Sequence, residues 1–379
     1  MTRPEARLVL VLRIVAVAAG SALVVWTVLS AVRAVILPRG EIVALSRAVF
    51  VALRWVFNRI TRPAKSYESR DRAMAMYAPI GLLCLAASWV VLVIAGFTLV
   101  YWGLGVDPFR QAFVESGSSL LTLGFVKPDD LPTTVAAFIE ATLGLGLIAL
   151  LISYLPSIYS AFQRREQAVV MLETRAGQPP DAAVMIKRAH TLARLDSLHE
   201  VWVQWEVLFA DIEETHTSQP SLPFFRSPIA GRSWVTASGC VLDTAAIMLS
   251  VVNQPPDPNA ALCLRAGFLS LRRIADYFQI PFDPDPDPDD PISIDRAEFD
   301  EVYEDLASFG VPVRADREKA WRDFQGWRVN YDLALLGLAS LTMAPYAKWS
   351  SDRSVNLGLP KVRAAFRLRW AASDRSGPS

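Results

Sequence analysis

Three apolar runs dominate the first part of the chain, and a helical period takes over after them. Ile14 to Val32 is uncharged over about 19 residues, which at about 1.5 Å per residue nearly covers a hydrocarbon core. Arg13 and Arg33 flank it. The run is too long for the apolar part of a cleaved signal, and no small-residue cleavage site follows before the Arg-rich stretch, so it predicts a retained span. Ala73 to Val106 carries no charge, and Tyr101 and Trp102 near its end suit an interfacial aromatic belt. Leu131 to Gln163 is interrupted only by Glu140 and stopped by Arg164 and Arg165. Between the first two runs, Glu41 to Ile60 sets Ile42, Leu45, Val49, Leu53, Val56, Phe57 and Ile60 at helical spacing among arginines. That pattern predicts an amphipathic helix on the inner leaflet, with a helix packed on the soluble part as the alternative.

From Ser160 onward the pattern is helical and soluble. Pro179-Pro180-Asp181 predicts the start of one long helix to about Thr217, with Val184, Leu192, Leu195, Leu198, Trp202, Trp205 and Phe209 on its apolar side. Ser233 to Val252 and Asp257 to Ile280 predict two more. Alternating Asp and Pro from Asp283 to Pro291 predict an extended acidic loop. Asp295 with Glu298 forms a capping box for a helix to about Phe309, and Asp316 starts another to about Met343. Trp234 to Val252 and Leu333 to Tyr346 are apolar, but the first contains Asp243 and the second is too short to cross a bilayer. Both fit buried helices of a soluble domain. A carboxylate on the apolar helix needs a partner, and Arg272, Arg273 and Arg226 are the candidates for Asp243.

Charge then sets an orientation. Arg33, Arg39, Arg47, Arg54, Arg59, Arg62, Lys65, Arg70 and Arg72 follow the first run, whereas only Arg110 and Lys127 lie between the second and third. The bias of basic residues toward the inner side puts the Arg-rich stretch and everything after Arg164 in the cytoplasm, with the N-terminus outside. Overall, 38 Lys and Arg balance 38 Asp and Glu, so nothing points to nucleic acid. Cys84, Cys240 and Cys263 have no metal or redox spacing.

The segment between the second and third runs breaks the apolar pattern. Asp107-Pro108 is a helix start, and Phe109, Phe113 and Val114 predict a helix of about two turns. It leads into Gly117-Ser118-Ser119-Leu120-Leu121-Thr122-Leu123-Gly124-Phe125, a small, hydroxyl-rich turn. Irregular backbone at membrane depth is tolerated where it is buried in protein or lines water, and such a turn can offer carbonyl oxygens in place of an ion's hydration shell. The negative end of the short helix points at it, which favours a cation.

These residues resemble the pore-loop ion channels of the potassium channel type, built as outer helix, pore helix, filter and inner helix. Thr122-Leu123-Gly124-Phe125 is similar to the family's Thr-x-Gly-Tyr/Phe filter core. Ser118, Ser119 and Leu121 fall where that family has hydroxyl and apolar residues before the core. Asp129, next to Asp130, falls near its acidic residue at the outer mouth, and Gly144 and Gly146 fall where its inner helix often has a hinge. The resemblance covers residues 73–165. One departure stands out: Val126 occupies the place of the family's second glycine. Valine disfavours the left-handed backbone that glycine permits, so the outermost carbonyl ring and potassium selectivity do not carry over.

The resemblance implies four copies around one pore, a monovalent cation (potassium or sodium) as the species carried, and no cofactor. The expected fold class is all-α: a multi-pass membrane protein with three transmembrane helices, one re-entrant pore helix and loop, and a helical cytoplasmic domain. Its expected divisions are 1–72 (first span and Arg-rich linker), 73–165 (pore module), 166–350 (cytoplasmic domain) and 351–379 (a tail without fixed structure). The expected location is an inner plasma membrane of bacterial type.

Glu140, about two turns into the third run, is a functional candidate as an intramembrane carboxylate, facing the pore or bracing a pore helix. Glu115 is expected to brace the loop. Gly144-Leu145-Gly146 with Ala149 mimics a dinucleotide fingerprint but follows no strand. His190, His199 and His216 lack metal spacing, and no acid, base or nucleophile constellation stands out, so an enzyme is not expected. The alternative to a channel is a non-conducting, membrane-anchored scaffold or ligand-binding protein.

Overall fold

The computed structural model describes residues 3–35, 44–62, 67–192 and 194–353. The linker positions Arg39, Glu41, Ile42 and Lys65, and the expected tail from 354 on, lie outside the described residues. Among the described residues the chain is all-helical, with no strand and one isolated antiparallel bridge between Val252 and Val313.

Three helices are long and apolar enough to cross a membrane: α1 (Arg3–Val35), α4 (Tyr77–Leu104) and α6 (Leu131–Ala176). They make the chain a membrane protein by length and composition. Between α1 and α4 lie α2 (Ala44–Thr61) and α3 (Tyr67–Ala75); between α4 and α6 lies α5 (Phe109–Leu120). Helix α1 packs along α4, and Gly20 sits so close to Gly96 that a Cβ on Gly20 would lie 2.4 Å from the Gly96 carbonyl oxygen. Small residues allow such backbone approach where lipid supplies no hydrophobic drive. An Arg13–Asp107 ion pair ties the start of α1 to the loop before α5.

Helix α2 divides the stripe predicted for it. Leu45, Val49, Phe50, Leu53 and Phe57 pack toward α4 and its approach, whereas Val56 and Ile60 are exposed with Val51 and Trp55. Protein therefore covers one apolar face and leaves the other open.

The helical part after Ala176 is built on α9 (Trp234–Ser250), which is buried over most of its length. Around it are α6, α7 (Ala182–Thr191), α10 (Pro258–Tyr277), α12 (Arg317–Arg328) and α13 (Asp332–Thr342). Helix α8 (Leu198–Ser218) packs on α10, and α11 (Arg296–Ser308) on α7. Five helix starts carry acidic side-chain caps at the predicted or neighbouring positions: Asp130, Asp181, Asp257, Asp295 and Asp316. The core is continuous from Val169, Leu172 and Ala176 of α6 to Trp349.

Two predicted helices are broken. The long helix expected from 181 to 217 ends at Thr191 and restarts at Leu198 after a 3-10 turn, Leu195–Ser197. The turn lets α7 lie on α9 while α8 lies on α10, which one straight rod could not do. The helix expected from Asp316 to Met343 is split at Asn330, whose backbone and side-chain oxygens accept from Arg272 at 2.6 and 3.0 Å.

Candidate functional site

Helix α5 is longer than the two turns expected. It runs through Ser118, Ser119 and Leu120, so these are helical rather than part of the turn. Its polar face is buried: Glu115, Ser116 and Ser118 are covered, while Phe109 and Phe113 are exposed. Its two ends of contact with α6 run in step, four residues apart on both helices. The Ser116 hydroxyl lies 2.5 Å from Glu140 Oε1 and 3.2 Å from the Ile94 carbonyl of α4. One turn on, the Leu120 carbonyl seats on Gly144, where a Cβ would lie 2.2 Å from its oxygen. Glu140 thus holds its own chain's short helix, and Gly144 is a point of backbone contact. Gly146 faces open space.

The chain leaves α5 at Leu121 and turns through two left-handed residues, Thr122 (φ 54) and Gly124 (φ 70). The Leu123 and Gly124 amides point back to the Ser118 carbonyl at 2.9 and 3.4 Å, and the Val126 amide donates to Ser118 Oγ at 3.3 Å. Ser118 therefore gathers the N–H groups of Leu123, Gly124 and Val126, while that of Thr122 goes to the Ser119 carbonyl. No hydrogen bond from a described residue reaches the carbonyls of Thr122, Leu123, Gly124 or Phe125. The side chains of Leu121, Leu123 and Phe125 are exposed, and Val126, half-buried, keeps a negative φ.

The loop bracing expected of Glu115 falls to Ser118 instead. Glu115 Oε1 is buried and finds no hydrogen-bond partner among the described residues, as does Glu140 Oε2. Ser119 lies 3.5 Å from the Tyr101 hydroxyl. Of the two mouth carboxylates, Asp129 is exposed, while Asp130 caps α6 in a box with Thr133.

At its other end α6 carries a contact that the sequence pattern hides. Arg165, expected only to stop the span, is 1% exposed. It donates to Glu166 Oε1 at 3.0 Å and to the Leu222 and Phe225 carbonyls at 3.0 and 2.8 Å. Its Nη1 also lies 3.2 Å from His216 Nε2. A guanidinium can only donate, so that nitrogen accepts and the ring proton sits on Nδ1, 3.1 Å from Thr215 Oγ1. Burial, then the nearby Arg165 charge, holds the His216 pKa well below the ordinary histidine range. Arg164 pairs with Asp211 at 2.8 Å. The signal was present: Arg165 lies in phase with Ile158, Ala161, Val169 and Leu172, all buried.

Two further arginines fasten the linker helices to the same helical body. Arg54 of α2 donates to the Leu341 carbonyl at 3.0 Å, and Arg226 to that of Thr342 at 2.8 Å while also pairing with Asp71 of α3. Both cap the end of α13, where cations suit the helix dipole.

Asp243 is partnered by none of Arg272, Arg273 or Arg226. Its partners are Arg328 at 2.5 Å and the Tyr331 hydroxyl at 2.8 Å. Arg328 also reaches Asp332 at 2.8 Å and the Trp349 carbonyl at 2.6 Å. Burial opposes the Arg328 charge, but Asp243 and Asp332 outweigh it and keep the guanidinium pKa above its usual range. The lone periodic Arg328 was the missed partner, since two helices, α10 and α11, separate it from Asp243 in the chain. No family model matches this chain, and comparison with curated proteins and with solved structures finds no match either.

Proposed function

We propose that the chain is one subunit of a homotetrameric cation channel, with the turn from Thr122 to Phe125, followed by Val126, as its filter. One observation carries this reading. The turn after α5 draws the Leu123, Gly124 and Val126 amides inward to Ser118 and leaves four successive carbonyls without a donor among the described residues, at the negative end of a helix dipole. Unpaired carbonyls at membrane depth are costly unless water or an ion meets them. A single chain supplies one side of such a cage, and closed symmetry supplies the rest. The exposed apolar face of α6, with Val135, Phe138, Leu145, Ile148 and Ile152, fits lipid or neighbouring copies.

On this reading α5 is a re-entrant pore helix and α6 the inner helix. Asp129 and Asp130 sit at the outer mouth, and the soluble helices form a cytoplasmic domain that modulates opening through Arg164 and Arg165. The charge bias places the N-terminus outside. Potassium and sodium are the candidate ions.

Single-channel recording of the purified protein in a planar bilayer tests the proposal. Discrete cation currents are expected, and they should vanish in Gly124→Ala without loss of assembly. Gly124 has open space around it but a left-handed backbone, so the change strains the turn rather than crowding it. A silent bilayer with intact tetramers, or full currents from Gly124→Ala, would favour the non-conducting scaffold.

A further inference from the structure

A cavity of about 380 Å³ opens in the soluble part where α8 begins, α9 ends and α10 begins. Its size falls within the range of small-molecule sites, about 300–1,000 Å³. The wall is apolar, made by Trp202, Met248, Leu249 and Pro255. The polar groups on it are Asp196, His199, Asp257 and Gln254, and among the described residues no lysine or arginine lines it.

The acceptor character of these groups is built in. His199 Nδ1 lies 3.0 Å from Asp257 Oδ2, and Asp257 is itself fixed as the cap of α10, with Oδ1 accepting from the Asn259 amide at 2.9 Å. In the neutral ring, a carboxylate beside Nδ1 takes the ring proton as its hydrogen-bond donor and leaves Nε2 as an acceptor. Asp196 adds a second carboxylate. The positive ends of α8 and α10 do not offset this, because Glu200 in the first turn of α8 and the Asp257 cap already meet them. A bare metal ion does not fit: among the described residues no three His, Cys, Asp or Glu side chains come together to hold one. What the cavity lacks is a donor with positive charge on an apolar body.

We propose that this cavity binds a small organic ammonium ion, its N–H groups donating to Asp196 and to His199 Nε2 and its apolar part lying against Trp202, Met248 and Pro255. The site is independent of the channel reading, since binding is measured directly.

The test is calorimetric titration of the full-length protein in detergent with phenethylamine, its neutral analogue 2-phenylethanol, and phenylacetate. Saturable binding of the amine is expected, at least about 10-fold tighter than the alcohol, with no binding of the acid. Asp196→Asn and His199→Leu should each weaken the amine at least about 10-fold, while Asp285→Asn in the remote acidic loop should not. Asp196 and His199 are exposed, so neither change removes core packing; melting curves check this. Equal binding of amine and alcohol, no saturable binding of the amine at millimolar concentration, or insensitivity to Asp196→Asn would each overturn the proposal.

Discussion

Gly144→Ala probes the seat of the short helix most directly. A Cβ there would lie 2.2 Å from the Leu120 carbonyl oxygen. An ordinary carbon–oxygen contact is about 3.3 Å, so α5 must rise from α6 by about 1 Å. Both sides are backbone, and no side-chain rotation relieves the contact. Overpacking of this kind costs about 1–3 kcal/mol, while alanine for glycine inside a helix returns about 0.5–1 kcal/mol. The expected result is a net loss of up to about 2.5 kcal/mol, with the turn from Thr122 to Phe125 carried along because it hangs from Ser118. Gly146→Ala is the control: nothing lies within 4 Å of its Cβ, so only the gain remains. Thermal melts of both variants in one detergent, with ion flux in proteoliposomes, read the difference. Gly144→Ala should melt lower and lose flux, whereas Gly146→Ala should melt at or above the parent and conduct. If the two variants melt alike, α5 does not rest on α6 at this point and the argument fails.

Val126→Gly should raise the preference for potassium over sodium, measured as a shift in reversal potential under mixed ions, because glycine frees the backbone beyond Phe125 to turn another carbonyl inward. His216 predicts acid sensitivity. Its folded pKa is held well below the ordinary value, so the unfolded chain binds more protons once pH falls below about 6.5. Stability is fully present above that point and declines as pH falls below it. His216→Gln, which keeps an acceptor for Arg165, should remove this part of the slope; equal slopes in denaturant melts would contradict the assignment. Arg328→Met should cost about 3–5 kcal/mol, since it strands Asp243 and Asp332 in the core, and an unfolding midpoint near that of the parent would show the pair to be dispensable.

Local chemistry made much of the fold legible. Asp181, Asp257, Asp295 and Asp316 announce helix starts because a cap is written in a few adjacent residues. The three long apolar runs are legible for the same reason, as each is a local count. The breaks were hidden because their causes are distant. Asn330 ends a helix with the help of Arg272, and the turn at Leu195–Ser197 answers the placement of α9 and α10. At the candidate site, the order of Ser118, Thr122 and Gly124 pointed to the turn. That Ser118 gathers its amides, or that Ser116 meets Glu140, depends on how α5 lies across α6. Arg165 misled because an arginine after an apolar run reads as a membrane stop. Only its phase with Ala161 and Val169 marks it as buried.

Helix α6 has a further consequence for how such a chain can change over time. It is one uninterrupted rod of 46 residues, with Glu140 and Gly144 gripping α5 near one end and Arg165 locked into the helical body after Ala176 toward the other. Pro156 lies within it, yet the helix continues. Each residue added between these grips turns one end against the other by about 100° and moves it by about 1.5 Å. A single insertion between Gly144 and Arg165 would therefore swing the helical body after Ala176 to a different side of the short helix, pulling Arg54 away from α13 and Asp71 away from Arg226. Seven added residues return the rod to within about 20° of its phase. Yet the same seven residues lengthen the rod by about 10 Å, enough to part Arg54 from α13, so length in this stretch should be closely held, and a graft of this helical body onto another helix must match both rotational phase and rise.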